Sequence, residues 1–241
     1  MTRSERVSPR VGLADLGLGL MAIAAGGSDA LAYLKLGHVF TSAMTGNTVL
    51  LCIAVGQGQL AEALQAFTAF LAFVAGAALA AALARRPAPG GTVPPRLMPL
   101  FVLEIALLAA FVALWFAAGG ASEGARYGLI VLSAVAMGAQ GVIARQINVP
   151  QVNTIVFTTT IISVVASCTH ALLRAGPIPF DTKRQIGILL IYAAGAVLMA
   201  VLIAHEISLY VWLPLVAVIG AFACYEAAHR AGGGTFDPWG G

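Results

Sequence analysis

The sequence predicts an all-α integral membrane protein: six full transmembrane helices, two short or re-entrant half-helices, and an inverted repeat. Three observations predict it. Hydrophobic residues make up 60% of the chain and charged residues only 10%, less than half of the roughly 25% that a soluble domain carries. Six apolar runs reach the length of about 20 residues that a helix needs to cross a bilayer. Two further stretches are polar in their first halves and apolar in their second, and they recur at an offset of about 113 residues. The mean hydropathy of +0.92 agrees with the first observation.

In chain order, the basic start "MTRSERVSPR" (1–10) reads as a cytoplasmic N-terminal segment. The run that follows, 11–34, is long, continues into "LAYLKLG" and shows no clean cleavage site, so it reads as a retained first helix and not a signal peptide. The first polar-headed stretch, 40–56, begins "FTSAMTGN". Thr, Ser, Asn and Gly fill a lipid-facing surface poorly but cap a helix start well. The run 62–84 leads to a Pro- and Gly-rich linker at 85–96, the natural mid-point of the chain. Runs 97–118 and 126–146 precede the second polar-headed stretch, 153–173, which begins "NTIVFTTT". The loop "RAGPIPFDTKRQ" (174–185), runs 185–205 and 207–229, and a Gly-rich tail at 231–241, read as disordered, complete the chain. The first membrane repeat is therefore 11–118 and the second 119–230.

Charge placement chooses between two topologies. If all eight segments cross, the Lys and Arg residues divide eight to five across the membrane. If the two polar-headed stretches dip in and return, only Lys35 and Arg126 lie outside, and the division becomes eleven to two. The positive-inside rule prefers the second arrangement, with both termini cytoplasmic. The net charge of +3 reflects these flanks and does not argue for nucleic acid. Cys52, Cys168 and Cys224 fall inside apolar runs at unrelated spacings and read as core residues.

Sliding one polar-headed stretch onto the other sets Thr45 against Thr158, Gly46 against Thr159 and Asn47 against Thr160, with Thr41 meeting Thr154. The unit is helix, polar-headed short segment, helix, helix. Three crossings per unit is an odd number, so the second unit enters the membrane upside down. Interrupted segments in matching places of an inverted repeat point to a transporter site. A helix that begins near the midplane aims its free N–H groups and positive dipole end at whatever precedes it. Such backbone is tolerated at that depth only where protein or a water-filled cavity satisfies it.

The stretch "GGSDALAYLKLGHVFTSAMTGNTVLL" resembles the signature of the YoaK-like family, small bacterial inner-membrane proteins of unknown function. The matching residues are Gly26 or Gly27, Asp29, Leu36, Gly37, Phe40, Thr45, Gly46 and Asn47. The second-half stretch "MGAQGVIARQINVPQVNTIVFTTTI" is similar to the family's Gly-x-Gln-Asn followed by Thr-Gly, but has Gly141 in place of the Asn and Thr158-Thr159 in place of Thr-Gly. The resemblance implies the fold and a bacterial inner-membrane location; it implies no established activity.

Candidate substrate-binding residues are Asp29, His38, Thr45, Gly46, Asn47, Glu104, Gln140, Thr154, Thr158 and Thr159. A carboxylate inside an apolar run costs about 2.5–3.5 kcal/mol on insertion scales. Asp29 thus reads as a substrate or proton-coupling ligand, or else as a solvated residue if the helix stops near 28; the apolar Ala30 to Leu34 favours the first. Glu104 reads as a proton carrier or ion-pair partner, or as a structural hydrogen-bonding group. Arg145 is a partner for either acid or a plain cytoplasmic anchor. His38 reads as a titrating cavity group or as a loop residue bonding a carbonyl. Gln140, in a helix of small residues, suits either a site or helix packing. Trp115, Tyr127, Tyr210 and Trp212 read as interfacial belt residues.

No phosphate-cradling loop, metal-ligand cluster or nucleophile elbow is present, so neither an enzyme nor a cofactor is expected. The expectation is a secondary-transporter-like protein moving a small polar or anionic solute, with proton coupling through a nearby acid, embedded in the lipid bilayer. Its rivals are a passive channel and a non-transport module for assembly or lipid binding. A chain this small is compatible with a homodimer.

Overall fold

The computed structural model describes residues 12–84, 97–147, 157–174 and 176–231. The expected N-terminal segment, the linker, Thr154 and the tail beyond Ala231 lie outside the described residues. The elements are α1 (Leu13–Lys35), α2 (Met44–Gly56), α3 (Leu60–Leu83), α4 (Met98–Ala117), α5 (Glu123–Gln146), α6 (Phe157–Leu173), α7 (Phe180–Ala204), a 3-10 turn (Ser208–Trp212) and α8 (Leu213–Ala231). Six of these spans are long and apolar enough to cross a membrane, and α2 and α6 are the two short ones. The protein is all-α among the described residues and multi-pass.

Boundaries follow local chemistry. Gly119 and Gly120, both at positive φ, turn the chain between α4 and α5. Ser122 is extended and its carbonyl accepts the first N–H bonds of α5, so that helix starts three residues before the apolar run. The last crossing opens as a 3-10 turn, and α8 proper starts just before Pro214, whose missing N–H is harmless in a first turn.

α1 and α5 form the centre. α1 packs on α7 and α8, and α5 packs on α3 and α4. Exchanging α1 with α5, α3 with α7 and α4 with α8 leaves this pattern unchanged. Glycines set the crossings. Gly26 of α1 lies against the Tyr192 carbonyl and the Ala196 amide of α7, and Gly138 of α5 lies against the Phe73 carbonyl and Ala77 amide of α3. Reciprocally, Gly195 lies on Ile23 and Gly76 on Val135. Without a hydrophobic drive between helices in lipid, such close backbone approach is what gains dispersion energy. The outward faces of α3 (Leu64, Phe67, Leu71) and α7 (Leu190, Val197, Val201) expose large apolar side chains, as a lipid-facing surface does.

α2 is re-entrant. Gly37, just past the end of α1, abuts the Gln65 side chain near the start of α3. The end of α1 and the start of α3 therefore share one face, and α2 reaches that face through the turn at Gln57–Gln59. At 13 residues α2 is about 20 Å long, short of the roughly 30 Å hydrocarbon core.

Candidate functional site

The chain between α1 and α2 is built by a series of specific contacts. Gly37 (φ 103) ends α1, and the His38 N–H bonds back to the Tyr33 carbonyl at 3.2 Å. This is the Schellman arrangement, which requires a left-handed residue at the Gly position. His38 also has positive φ, and its exposed ring meets Tyr33 edge-on at 5.1 Å. Phe40 stacks on Tyr33 at 5.4 Å and covers Gly46, where a Cβ would come within 2.9 Å of its ring. The Asn47 side chain then closes the segment as a backbone mimic: its Oδ1 accepts the Phe40 N–H at 2.8 Å, and its Nδ2 donates to the Phe40 carbonyl at 2.6 Å.

Asp29 clamps the next two residues. Its Oδ1 accepts the Thr41 and Ser42 backbone amides, each at 2.7 Å, and a longer bond from the Thr41 hydroxyl. Its Oδ2 accepts the Ser42 and Tyr192 hydroxyls, each at 2.6 Å. Asp29 is 3% exposed and Asn47 1%. Tyr192 stands twelve residues from either end of α7, which puts the clamp at mid-depth. The alternative that α1 stops near residue 28 and leaves Asp29 solvated does not hold, because the helix continues to Lys35. The carboxylate faces two amides in tandem just before a helix start, a concave arrangement of N–H groups that favours an anion. The Asp29 side chain itself fills that place.

Asn47→Ala should therefore unfasten Phe40 and lower stability by about 1–3 kcal/mol, the cost of leaving buried amide groups unmatched. Thermal unfolding in one detergent, compared with wild type, measures it.

The structure gathers Asp29, Gly46 and Asn47, keeps His38 and Thr45 exposed in the same segment, and leaves the remaining described candidates elsewhere. Thr45 is exposed on the first turn of α2 and makes none of the clamp's bonds. Thr158 and Thr159 are exposed on the first turn of α6, which packs on α7, whereas α2 packs on α3. Glu104 and Gln140 lie deep in the core, with Gln140 Nε2 donating to the Met21 carbonyl of α1 at 2.7 Å. Arg145, weighed above as a partner for either acid, takes no part in the Asp29 clamp, and Glu104 has no hydrogen-bond partner at all.

Sequence reasoning overlooked Tyr192. The available signal was a lone tyrosine at the middle of an apolar run, away from the interfacial depth where belt tyrosines sit. The second half shows that the acid and the tyrosine hydroxyl go together. Three residues past Gly26 stands Asp29, and three past Gly138 stands Gly141; at the α3 position matching Tyr192 stands Phe73. Both members of the clamp are absent there together.

A groove of about 420 Å³ runs between α1 and α7. Asp15, Lys183 and Arg184 stand at its polar end, with Asp15 paired to Arg184 Nε at 2.5 Å, and its inner end reaches Ile23 and Ile191, next to Tyr192. Among the described residues no group of His, Cys, Asp and Glu is placed to hold a metal.

Comparison with known proteins places this architecture. The chain is 28% identical over 206 residues to the UPF0700 transmembrane protein YoaK of Bacillus subtilis (strain 168), covering 84% of this chain and 90% of that one. No solved structure matches. Residues 17–224, which contain the Asp29 clamp and all six long spans but for their outermost turns, match the family described as protein of unknown function (DUF1275), and the chain belongs to that family.

Proposed function

We propose that this chain is a secondary transporter of a small polar solute, built as an inverted repeat in the bacterial inner membrane. The observation that carries the reading is the break between α1 and α2. Irregular backbone is held at mid-depth by a buried carboxylate, and the helix that starts there has Ala43 at its N-cap and no side-chain cap. Discontinuous helices of this kind form the midplane sites of secondary transporters. The exchange symmetry of the helix contacts supports the repeat, and the opposite directions of α1 and α5 support its inversion. Because the Asp29 carboxyl already occupies the amides before this helix start, the reading favours a neutral solute over an anion. The groove between α1 and α7 gives a route from the face bearing Arg184 towards Tyr192. With α2 re-entrant, Arg145, Lys183, Arg184 and Arg230 lie on the face opposite Lys35 and Arg126, which makes that face, and both termini, cytoplasmic.

The second reading is a membrane module that transports nothing. One observation favours it: every oxygen of the clamp is matched within the protein, and the groove stops short of it.

The test is a solute panel screened by thermal shift, since a ligand of the native state raises apparent stability by mass action. Hits are then assayed for flux in proteoliposomes. The expected result is accumulation beyond the solute's own gradient when a pH gradient is imposed. Thr45→Val, which touches no bond of the clamp, should cut flux at least tenfold at unchanged Tm. Flux that never exceeds the gradient identifies a channel, and no flux with any solute in folded protein identifies the non-transport module.

A further inference from the structure

The buried acid that the clamp does not use is Glu104. It is fully buried, and neither carboxylate oxygen has a hydrogen-bond partner. Its level in the core is fixed by the layers on either side of it. Toward the start of α4, Phe101 shares a small void with Met21 of α1, Ile147 at the end of α5, and Ala221 and Tyr225 of α8. Toward the end of α4, Leu108 meets Ser28 of α1, Ser133 of α5 and Leu215 of α8. Glu104 lies between Phe101 and Leu108, and midway between Ile147 and Ser133 on α5 lies Gln140. The Gln140 amide donates to the Met21 carbonyl through Nε2, and its Oε1 has no donor.

Two acceptor groups to which the protein gives no donor therefore occupy one buried layer. An ionised carboxylate in that setting carries a desolvation penalty with nothing to offset it. A neutral carboxylic acid has one O–H to give, and an amide oxygen can take it. Among the described residues no cation is paired with it. The ionisable group that α8 turns to this face of α4 is Tyr225, one turn away. Tyr210 of the 3-10 turn lies against Trp115, and Arg126 and Arg145 sit near the two ends of α5. α3 has Glu62 in its first turn, and α1 turns small apolar residues to this layer.

We propose that Glu104 is a proton-binding site at the centre of the α1, α4, α5 and α8 core, held as the neutral acid with its O–H given to Gln140 Oε1. Its proton leaves to water when α4 and α5 part from α1 and α8, the seam between the two packed groups of helices, and the carboxylate left behind is hydrated in that opened layer. The proposal deepens the transport reading by naming the coupled ion and its carrier. It rests on that reading for its purpose, but the protonation itself does not.

Infrared difference spectra of the full-length protein in lipid, at neutral pH, test it. Wild type minus Glu104→Gln should show the carbonyl band of a protonated carboxylic acid, and the band should shift in heavy water as its proton exchanges. Gln140→Leu should move the same band, because the O–H loses its acceptor; a purely packing role for Gln140 would leave it in place. Should Glu104→Gln not insert, Glu104→Asp serves for the subtraction, since withdrawing the carboxyl by one methylene displaces the band. No band assignable to Glu104, or one that never exchanges in folded protein, overturns the proposal. Absence of flux for every solute would defeat the transport reading and leave this band unchanged, so the two failures are distinguishable.

Discussion

Asp29→Ala should lower stability by about 3–5 kcal/mol, because several buried donors lose their acceptor at once. The substitution leaves the Thr41 and Ser42 amides and the Ser42 and Tyr192 hydroxyls without their acceptor at mid-depth. Each buried donor left unmatched costs about 1–3 kcal/mol in water-soluble proteins. In membranes single hydrogen bonds average about 0.6 kcal/mol, because the unfolded chain in lipid also finds partners. The amides decide which figure applies, since the backbone at 41 and 42 has no helix to fall back on while the loop keeps its shape. Asp29→Asn keeps one acceptor oxygen and should fall between wild type and Asp29→Ala. Tyr192→Phe should cost about 1 kcal/mol in the wild-type background. In the Asp29→Ala background it should cost less, because the bond between the two side chains is already gone there. Thermal unfolding of the four proteins in one detergent closes the cycle. Additive losses would mean that Tyr192 and Asp29 are not bonded in the membrane.

Gly76→Val and Gly138→Val should each abolish folded protein. A Cβ at Gly138 would overlap the Phe73 carbonyl and lie 2.8 Å from the Ala77 amide nitrogen. At Gly76 it would overlap the Val135 backbone. Overpacking a core costs about 1–3 kcal/mol when side chains can yield. Here the obstacle is the main chain of the neighbouring helix, so α3 and α5 must separate along their whole crossing. The same reasoning covers Gly26 and Gly195 at the crossing of α1 and α7. Gly124→Ala and Gly187→Ala are the controls. Nothing lies within 4 Å of a Cβ at either, and both should stay within about 1 kcal/mol of wild type, with the helix preference of alanine in their favour. Folded yield by size-exclusion chromatography, followed by Tm, separates the two groups.

The motif "GGSDALAYLKLGHVFTSAMTGN" was legible as unusual long before it was legible as geometry. Its polar head announced a non-helical stretch, and the apolar Ala30 to Leu34 announced that Asp29 stays inside the helix. What the residues do for one another was hidden, because each contact joins positions that no periodicity relates. Gly46 is small because Phe40 lies over it, and Asn47 is an amide because Phe40's own amide and carbonyl need one. Tyr192 enters from the far half of the chain, 163 residues away, and only packing of α7 on α1 brings it there. Thr158 and Thr159 matched Thr45 and Gly46 in register, but register carries no information about which helix each start leans on.

The amino-acid sequence by itself determined the class. Six runs had to be helices long enough for lipid, because no other open structure satisfies their backbone there, and two polar-headed stretches were marked as the short ones. Only the tertiary structure decided which acid is matched and which is not. Asp29 and Glu104 look alike in sequence, each a lone carboxyl in an apolar run. One meets two amides and three hydroxyls, and the other meets none. That difference is set by which helix faces turn toward each other, and the close glycine crossings of α1 with α7 and of α3 with α5 fix those faces.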